Sequence, residues 1–353
     1  MSIRLLTRYG LPRDITSPPP GPGGAPDGNT HYVEVTLPIA SATLTSFPVY
    51  VNMADLPAAF WSRVQSDGRD IRVTDAANNL TPRDLALMDD GESTGELHFL
   101  ANLSASAATV YRIWYGNASA TQPTTTDTYG RNAVWAAYDL VTHNGGNADA
   151  AGNNTFSSGG SGTPTTVTGK VGQALRYSDS TMHRRASSVD LADTGITASF
   201  WLALTNTTQT QRYVSTLIKT TTPAAGVLDV IFGFTTRLLE GYGDTADDLS
   251  RQTIHDYTAG DTAWHHVAIT NDGDTSRYYF DGAEVTNVVD VVLPSRITEY
   301  RLGGTGTANR TTACDLDEYR VMNAAEAPAR IEEQYANQNA PASWYSVGDE
   351  VTA

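Results

Sequence analysis

The residues of this chain that could carry chemistry are few and scattered. Glycoside hydrolysis needs two carboxyl groups flanking the scissile bond, about 5–5.5 Å apart for retention or about 6.5–9.5 Å apart for inversion. The densest acidic run is Asp315-Leu316-Asp317-Glu318. On a strand, alternation puts Asp315 and Asp317 on one face and Glu318 on the other, so the run does not present the required pair. The seven histidines are His31, His98, His143, His183, His255, His265 and His266. His265 and His266 are neighbours on a predicted strand, so they face opposite sides and cannot share one metal ion. The single cysteine, Cys314, has no partner pattern and reads as a small buried residue. No Gly-x-Ser-x-Gly nucleophile motif occurs, and Gly160-Ser161-Gly162 lies in a run of small loop residues. No residue is assigned a catalytic role, and the chain is expected not to be an enzyme.

Binding chemistry has more material. A calcium ion takes six to eight oxygens, often from aspartates and loop carbonyls. Asp244, Asp247 and Asp248, read as a loop, are the candidate ligands, and calcium is the one cofactor for which the sequence offers donors. Asn271-Asp272-Gly273-Asp274 also holds acids but fits a hairpin turn without a metal. Sugars stack their apolar faces on aromatic rings and hydrogen-bond acids and amides at the rim. Tyr242, between glycines in Glu240-Gly241-Tyr242-Gly243-Asp244 and read as a loop, is a candidate platform with Asp244 beside it. Tyr257 in His255-Asp256-Tyr257 is a second.

The elements that must position these residues are strands. Tyr32-Val33-Glu34-Val35-Thr36-Leu37 alternates with period two, and Phe47-Pro48-Val49-Tyr50-Val51 follows. Residues 55–64 predict a short helix from Leu56, Phe60 and Val64. Asp70-Ile71-Arg72-Val73-Thr74, Glu96-Leu97-His98-Phe99-Leu100 and Val110-Tyr111-Arg112-Ile113-Trp114-Tyr115 are further strands. After a Thr/Ser/Ala-rich stretch at 118–128, a strand is predicted over 134–140. The apolar run over 196–204 predicts a strand buried on both faces. Asp281-Gly282 between two strand patterns predicts a type I′ hairpin. Pro328 opens a helix over 328–336, with Ile331 and Tyr335 on one face.

Length and composition bound the whole. The chain has 353 residues, enough for two domains or one large β domain. At 40% hydrophobic residues it can bury a core. A net charge of −16 argues against nucleic acid or anionic membrane as the main partner, since both need clustered positive charge. One cysteine excludes an intrachain disulfide, no apolar run reaches the roughly 18–20 residues of a membrane span, and no signal-peptide apolar region is visible. Residues 17–30 are rich in Pro and Gly and read as a linker. They tether residues 1–16, where Ile3, Leu5, Leu6 and Tyr9 are the candidate docking residues.

Two stretches resemble known families. Residues 31–118, through Phe47-Pro48-Val49, Gly68-Arg69-Asp70-Ile71-Arg72-Val73-Thr74-Asp75 and Tyr115-Gly116-Asn117-Ala118, are similar to a small β domain of unassigned function that commonly precedes a lectin-like sandwich. Residues 129–350 resemble that sandwich, the laminin G-like, concanavalin A-like jelly roll. The resemblance rests on Gly169-Lys170-Val171-Gly172-Gln173-Ala174-Leu175, Ser199-Phe200-Trp201, Trp264-His265-His266-Val267-Ala268, Tyr279-Phe280-Asp281-Gly282-Ala283 and Asp317-Glu318-Tyr319-Arg320. It implies an all-β chain: an extended N-terminal arm, a small β-sandwich over 31–118, a linker over 119–128 and a jelly roll over 129–353. Hydrolases of this fold carry Glu-x-Asp-x-x-Glu on one strand, a pattern missing here, and the family uses Asp317-Glu318 as a structural fingerprint. The combination of an extracellular-type fold with no visible signal, disulfide or anchor points to a structural bacteriophage protein on the virion surface, made in the host cytoplasm: a tail fibre, tail-associated or capsid decoration protein. Its expected partners are other virion proteins through residues 1–16, a host cell-surface glycan, and further copies of itself. The rival readings are an exported polysaccharide-binding protein, a ligand-free spacer and a glycoside hydrolase; the fold alone does not choose among them.

Overall fold

The computed structural model describes residues 24–143, 149–154, 156–158, 162–177, 184–186, 191–192, 195–205, 212–218, 227–232, 239–245, 248–255, 261–288, 296–297, 299–303 and 313–353. For the strands within 184–192, 212–255 and 287–299, and for Arg301, the description is of backbone alone. The candidate residues Ile3, Leu5, Leu6, Tyr9, Asp247 and Tyr257 lie outside the described residues.

The first half is a sandwich of short strands: β1 His31–Leu37, β2 Leu44–Asn52, β3 Arg72–Asp75, β4 Leu80–Thr81, β5 Arg83–Asp89, β6 Thr94–Leu103 and β7 Thr109–Tyr115. In β1, Val33, Val35 and Leu37 are buried while Tyr32, Glu34 and Thr36 are not, as the alternation requires. One sheet contains β1-β7-β3-β4 and the other β2-β6-β5. Their inner faces share a core that includes Val33, Val49, Phe60, Phe99 and Ile113. The predicted helix over 55–64 shrinks to one turn, α1 Ala58–Trp61, whose start is set by Pro57, which holds Leu56 extended; Leu56, Phe60 and Val64 are all buried.

The second half opens with one helical turn, α2 Arg131–Val134, followed by β8 Tyr138–Thr142. The predicted strand over 134–140 is therefore displaced; Trp135 instead turns inward as a fully buried side chain. The remaining strands are β9 Ser157–Ser158, β10 Thr165–Thr168, β11 Gln173–Tyr177, β12 Arg184–Ala186, β13 Leu191–Ala192, β14 Ile196–Leu204, β15 Arg212–Ile218, β16 Val227–Phe232, β17 Leu239–Thr245, β18 Asp248–His255, β19 His265–Asn271, β20 Ser276–Phe280, β21 Ala283–Val288, β22 Arg296–Ile297, β23 Glu299–Leu302 and β24 Cys314–Met322. Two antiparallel sheets form the jelly roll. One runs β10-β11-β24-β14-β19-β20-β21 with β8 beside β24; the other runs β18-β17-β16-β15-β23-β12-β9. Phe200, Leu202, Val267, Tyr300 and Leu302 meet in the core between them. All nine residues of β14 are buried, which explains its unbroken apolar character. Cys314 is free and buried. The predicted type I′ turn is present: Asp281 and Gly282 both have positive φ, 49° and 79°.

The C-terminal helix α3 Pro328–Asn339, the turn α4 Pro341–Trp344 and the short strands β25 Ser346–Val347 and β26 Val351–Thr352 bind the halves together. Residues three or four apart share a helix face. On one face of α3, Ile331 packs on Ala268 and Tyr279, Gln334 donates to the Ser199 hydroxyl, and Gln338 accepts from the Trp201 indole. On the other, Arg330, Glu333 and Asn337 meet the free edge of β2. Arg330 donates to the carbonyls of Thr45 and Ser46, Glu333 accepts from the Ser41 amide, and Asn337 both accepts from the Tyr50 amide (2.7 Å) and donates to the Tyr50 carbonyl (2.9 Å). Tyr345 continues the series at Asn52. These side chains do for β2 what a neighbouring strand would do. β25 and β26 then pair with β1. Residues 346–352, expected with the jelly roll, thus complete a sheet of the first sandwich.

Candidate functional site

Between the two halves lies a buried cluster of acids and histidines. Alternation along β6 points Leu97 and Phe99 into the sandwich core and Glu96 and His98 out of it, towards the jelly roll. Cross-strand register sets Tyr50 of β2 and Asp84 of β5 directly opposite His98, on the same face. From the other half, Tyr319 pairs with Thr142, which brings His143, just past β8, level with Glu318. Glu318 owes its direction to a bulge. Ser199 pairs with Arg320 and Trp201 with Asp317, so Phe200 alone stands opposite both Glu318 and Tyr319. Glu318 itself has φ of 50°, a conformation few non-glycine residues adopt. Asp315 and Asp317, opposite Ala203 and Trp201, keep the expected shared face, and the alternation breaks only at Glu318.

The distances are short. His98 Nε2 lies 2.9 Å from Glu96 Oε1, and His143 Nδ1 lies 3.3 Å from the same oxygen. His143 Nδ1 also hydrogen-bonds Glu318 Oε1. On its far side His143 Nε2 is 3.5 Å from Asp84 Oδ2, which accepts from the Trp135 indole at 2.7 Å. Glu318 Oε2 takes hydrogen bonds from Arg320 and Gln338. The rings of His98 and His143 stack at 4.7 Å, and the Arg320 guanidinium lies 4.8 Å above the Trp135 ring. Glu96, His98 and Glu318 are essentially inaccessible to solvent.

Burial and mutual charge set the protonation of these groups. Burial, and then Glu318, push the Glu96 carboxyl up to about 8. Burial, and then His143, push the His98 imidazole down to about 3. Both shifts favour the neutral forms of Glu96 and His98, which their hydrogen bond joins. For Glu318 burial works upward, but His143 and Arg320 outweigh it and hold the carboxyl well below its usual range. Correspondingly, His143 sits well above the usual imidazole value: burial opposes its charge, and Glu318 and Asp84 overcome that. A cavity of about 330 Å³ opens beside the cluster, with Arg83, Asp84, Gln122, Gly130, Arg131 and His143 on its walls.

The acids weighed for hydrolysis are otherwise engaged. Asp315 forms a two-point ion pair with Arg176, and Asp317, fully buried beside Glu318, accepts from the Val171 amide. Asp272 accepts from the amides of Asp274 and Thr275 and pairs with Arg277, a self-contained turn as its sequence suggests. His266 is buried under α3 against Gln334 and Trp201; His265, on the opposite side of β19, bonds Asp281 and Asp261.

The segment containing Tyr242 and Asp244 is not a loop. It is β17, paired with β18 in unbroken register from Glu240 to Thr245, so Asp244 and Asp248 both occupy strand positions, with residues 246 and 247 connecting the two strands. Glycines at 241 and 243 concealed the strand. Register carries the face assignment across the sheet. Leu217 stands opposite the core residue Tyr300 and also opposite Leu228; Val230, two residues along, stands opposite Gly241. Gly241 and Gly243 therefore belong to the inner face. Tyr242, Asp244 and Arg251, opposite Tyr242, belong to the outer one.

The buried cluster was not foreseen. The one local signal was Glu96-x-His98, two ionisable residues on one face of a strand whose other face is Leu97 and Phe99. Nothing local connects them to His143 or Glu318.

Comparison with known proteins finds one family model and several structures similar to part of the chain. Residues 178–332 match the family model of the concanavalin A-like lectin/glucanases superfamily. Domain 4 of an extracellular GH43 arabinanase from Geobacillus stearothermophilus, solved with arabinotriose, is similar at 16% identity and a TM-score of 0.47, covering 56% of this chain and 97% of that one. The binding domain of Paraclostridial Mosquitocidal Protein 1 is similar at 14% identity and a TM-score of 0.45, covering 56% of this chain and 51% of that one. The receptor binding domain of botulinum neurotoxin C/D mosaic serotype gives 15%, 0.46, 57% and 52%. The chain spans about half the length of these two toxin domains. No curated protein matches the chain. The family match over residues 178–332 agrees with the two-sheet jelly-roll arrangement of the second half.

Proposed function

We propose that the chain is a non-catalytic adhesion protein of a virion surface, a tail fibre, tail-associated or capsid decoration protein, whose jelly roll binds a host glycan. The observation that carries the binding half of this reading is the register of β17. It sets Arg251 opposite Tyr242 and Asp244 two residues along, all three at outer-face positions of the seven-stranded sheet. That combination suits a sugar, which stacks on the ring and hydrogen-bonds the charged groups. The outer face of the other sheet is taken by α3. Contact at one such site is weak and becomes useful through many copies. A glycan array probed with the full chain is expected to give a positive class of glycans, with signal at least tenfold lower for Tyr242→Ala; an unchanged signal would overturn the assignment. No release of reducing ends is expected from the glycans bound.

The particle half of the reading is supported by the Pro/Gly-rich tether over 17–30 and by a recognition-type fold whose one cysteine, Cys314, is buried and free rather than bridged. Removal of residues 1–16 is expected to abolish co-purification with particles. Unchanged incorporation would sink the docking role while leaving the glycan site standing.

A further inference from the structure

We propose that Glu96, His98, His143 and Glu318 form a binding site for a first-row divalent transition metal, of the zinc class, that clamps the two halves of the molecule together. One ligand atom from each of these residues can be chosen so that all four lie within 4.8 Å of one another. Two imidazole nitrogens with two carboxylate oxygens suit zinc, manganese, iron or cobalt. Calcium, which wants six to eight oxygens, is excluded by the same donor set.

Three further observations point to a cation. First, two buried atoms in the cluster lack hydrogen-bond partners, Glu96 Oε2 and His98 Nδ1. Buried polar atoms are seldom left so, and the second oxygen of Glu96 is open to a further bond. Second, the surroundings have the form of an outer ligand sphere. Asp84 stands behind the far nitrogen of His143, and is itself fixed by the Trp135 indole. The second oxygen of Glu318 is held by Arg320 and Gln338. Such partners orient metal ligands and raise their basicity. Third, Asp84, Glu96 and Glu318 gather around the His143 ring, so the cluster holds added positive charge, supplied either by a proton on His143 or by a dication. The cavity walled by Asp84 reaches one of the four ligand residues, His143. Glu96 and His98 come from the sandwich, His143 and Glu318 from the jelly roll, so a bound ion bridges the two.

The test uses the untagged full chain, stripped with a chelator and titrated with Zn²⁺ against a chromophoric competitor. One Zn²⁺ per chain is expected, with a rise in the thermal unfolding midpoint at saturation and no competition from Ca²⁺. His98→Gln and Glu318→Gln are each expected to lose the uptake while keeping the far-ultraviolet dichroism of the wild type. Absence of stoichiometric uptake by the folded wild-type chain, or uptake unchanged in both variants, would overturn the site and leave a purely protonic cluster. Should either variant fail to fold, Co²⁺ bound to the wild-type chain decides. A ligand-field spectrum with imidazole nitrogen supports the site, and the spectrum of aqueous Co²⁺ refutes it.

Discussion

Asn337 offers the sharpest measurement of how the C-terminal helix holds the first sandwich. Its side chain is 1% exposed and closes two hydrogen bonds with one peptide of β2, at 2.7 Å to the Tyr50 amide and 2.9 Å to the Tyr50 carbonyl. β2 is an edge strand, so no neighbouring strand can take over. Asn337→Ala leaves a buried N–H and a buried C=O without partners, each costing about 1–3 kcal/mol. The expected loss of stability is therefore about 2–6 kcal/mol, read as a lower denaturant midpoint at unchanged slope. Asn337→Asp refines the test. The carboxylic acid can donate to the Tyr50 carbonyl as the amide does, whereas the carboxylate cannot. The folded chain then holds that proton more tightly than the unfolded chain, whose carboxyl titrates near ~3.9. The deficit against wild type is full above the raised folded-state pKa and shrinks as pH falls through it towards the unfolded value. Asn339→Ala is the control: Asn339 is exposed and binds only Lys170 and Tyr335, so its loss should stay within about 0.5 kcal/mol. A cost for Asn337→Ala no larger than that of the control would refute the idea that the helix stands in for a strand.

Two further outcomes follow from the jelly roll. Burial lowers the His265 pKa, but Asp281 and Asp261 more than offset it, and the imidazole titrates above its ordinary ~6.5. The stabilisation it provides is complete below about pH 6.5 and disappears as pH rises through the folded-state value. A proton NMR titration should therefore give a midpoint above 6.5 that drops in Asp281→Asn; a wild-type midpoint at or below 6.5 would contradict the ion pair. Gly282→Ala should destabilise by more than about 1 kcal/mol, because φ is +79° and the new Cβ would stand 2.8–3.0 Å from the Cδ1, Cβ and Cγ atoms of Tyr335 on α3. An unchanged thermal midpoint would show that the turn and helix are less tightly set than the distances say.

What was legible in the sequence was what neighbouring residues decide. The hairpin at Asp281-Gly282, the all-buried run of β14 and the helix after Pro328 are each dictated within a few residues, and each is present. The jelly-roll fingerprint carried the fold class for the same reason. Errors arose where tertiary context overrode local pattern. Glycines made β17 look like a loop, and Trp135 was drawn out of a predicted strand into the interface. The acid–histidine cluster was out of reach because His143 and Glu318 are 175 residues apart and meet only through strand register. Even with the register in hand, the bulge that turns Glu318 towards His143 has no signature in Asp317-Glu318-Tyr319.

The return of β25 and β26 to β1 has a mechanical meaning. The polypeptide crosses between the halves twice, outward between Tyr115 and Tyr138 and back between Met322 and Ser346. The return ends with the Ala353 amide bonded to the Thr30 carbonyl at 2.9 Å. A pull on the arm at residue 30 is met at once by a strand flanked on both sides, by β7 before the outward crossing and by β25 and β26 after the return. Tension between the arm and a ligand held on the seven-stranded sheet therefore has two routes through the body and no single hinge to open. An anchor loaded in this way should give way in one rupture event, without a preceding stretch of its linker.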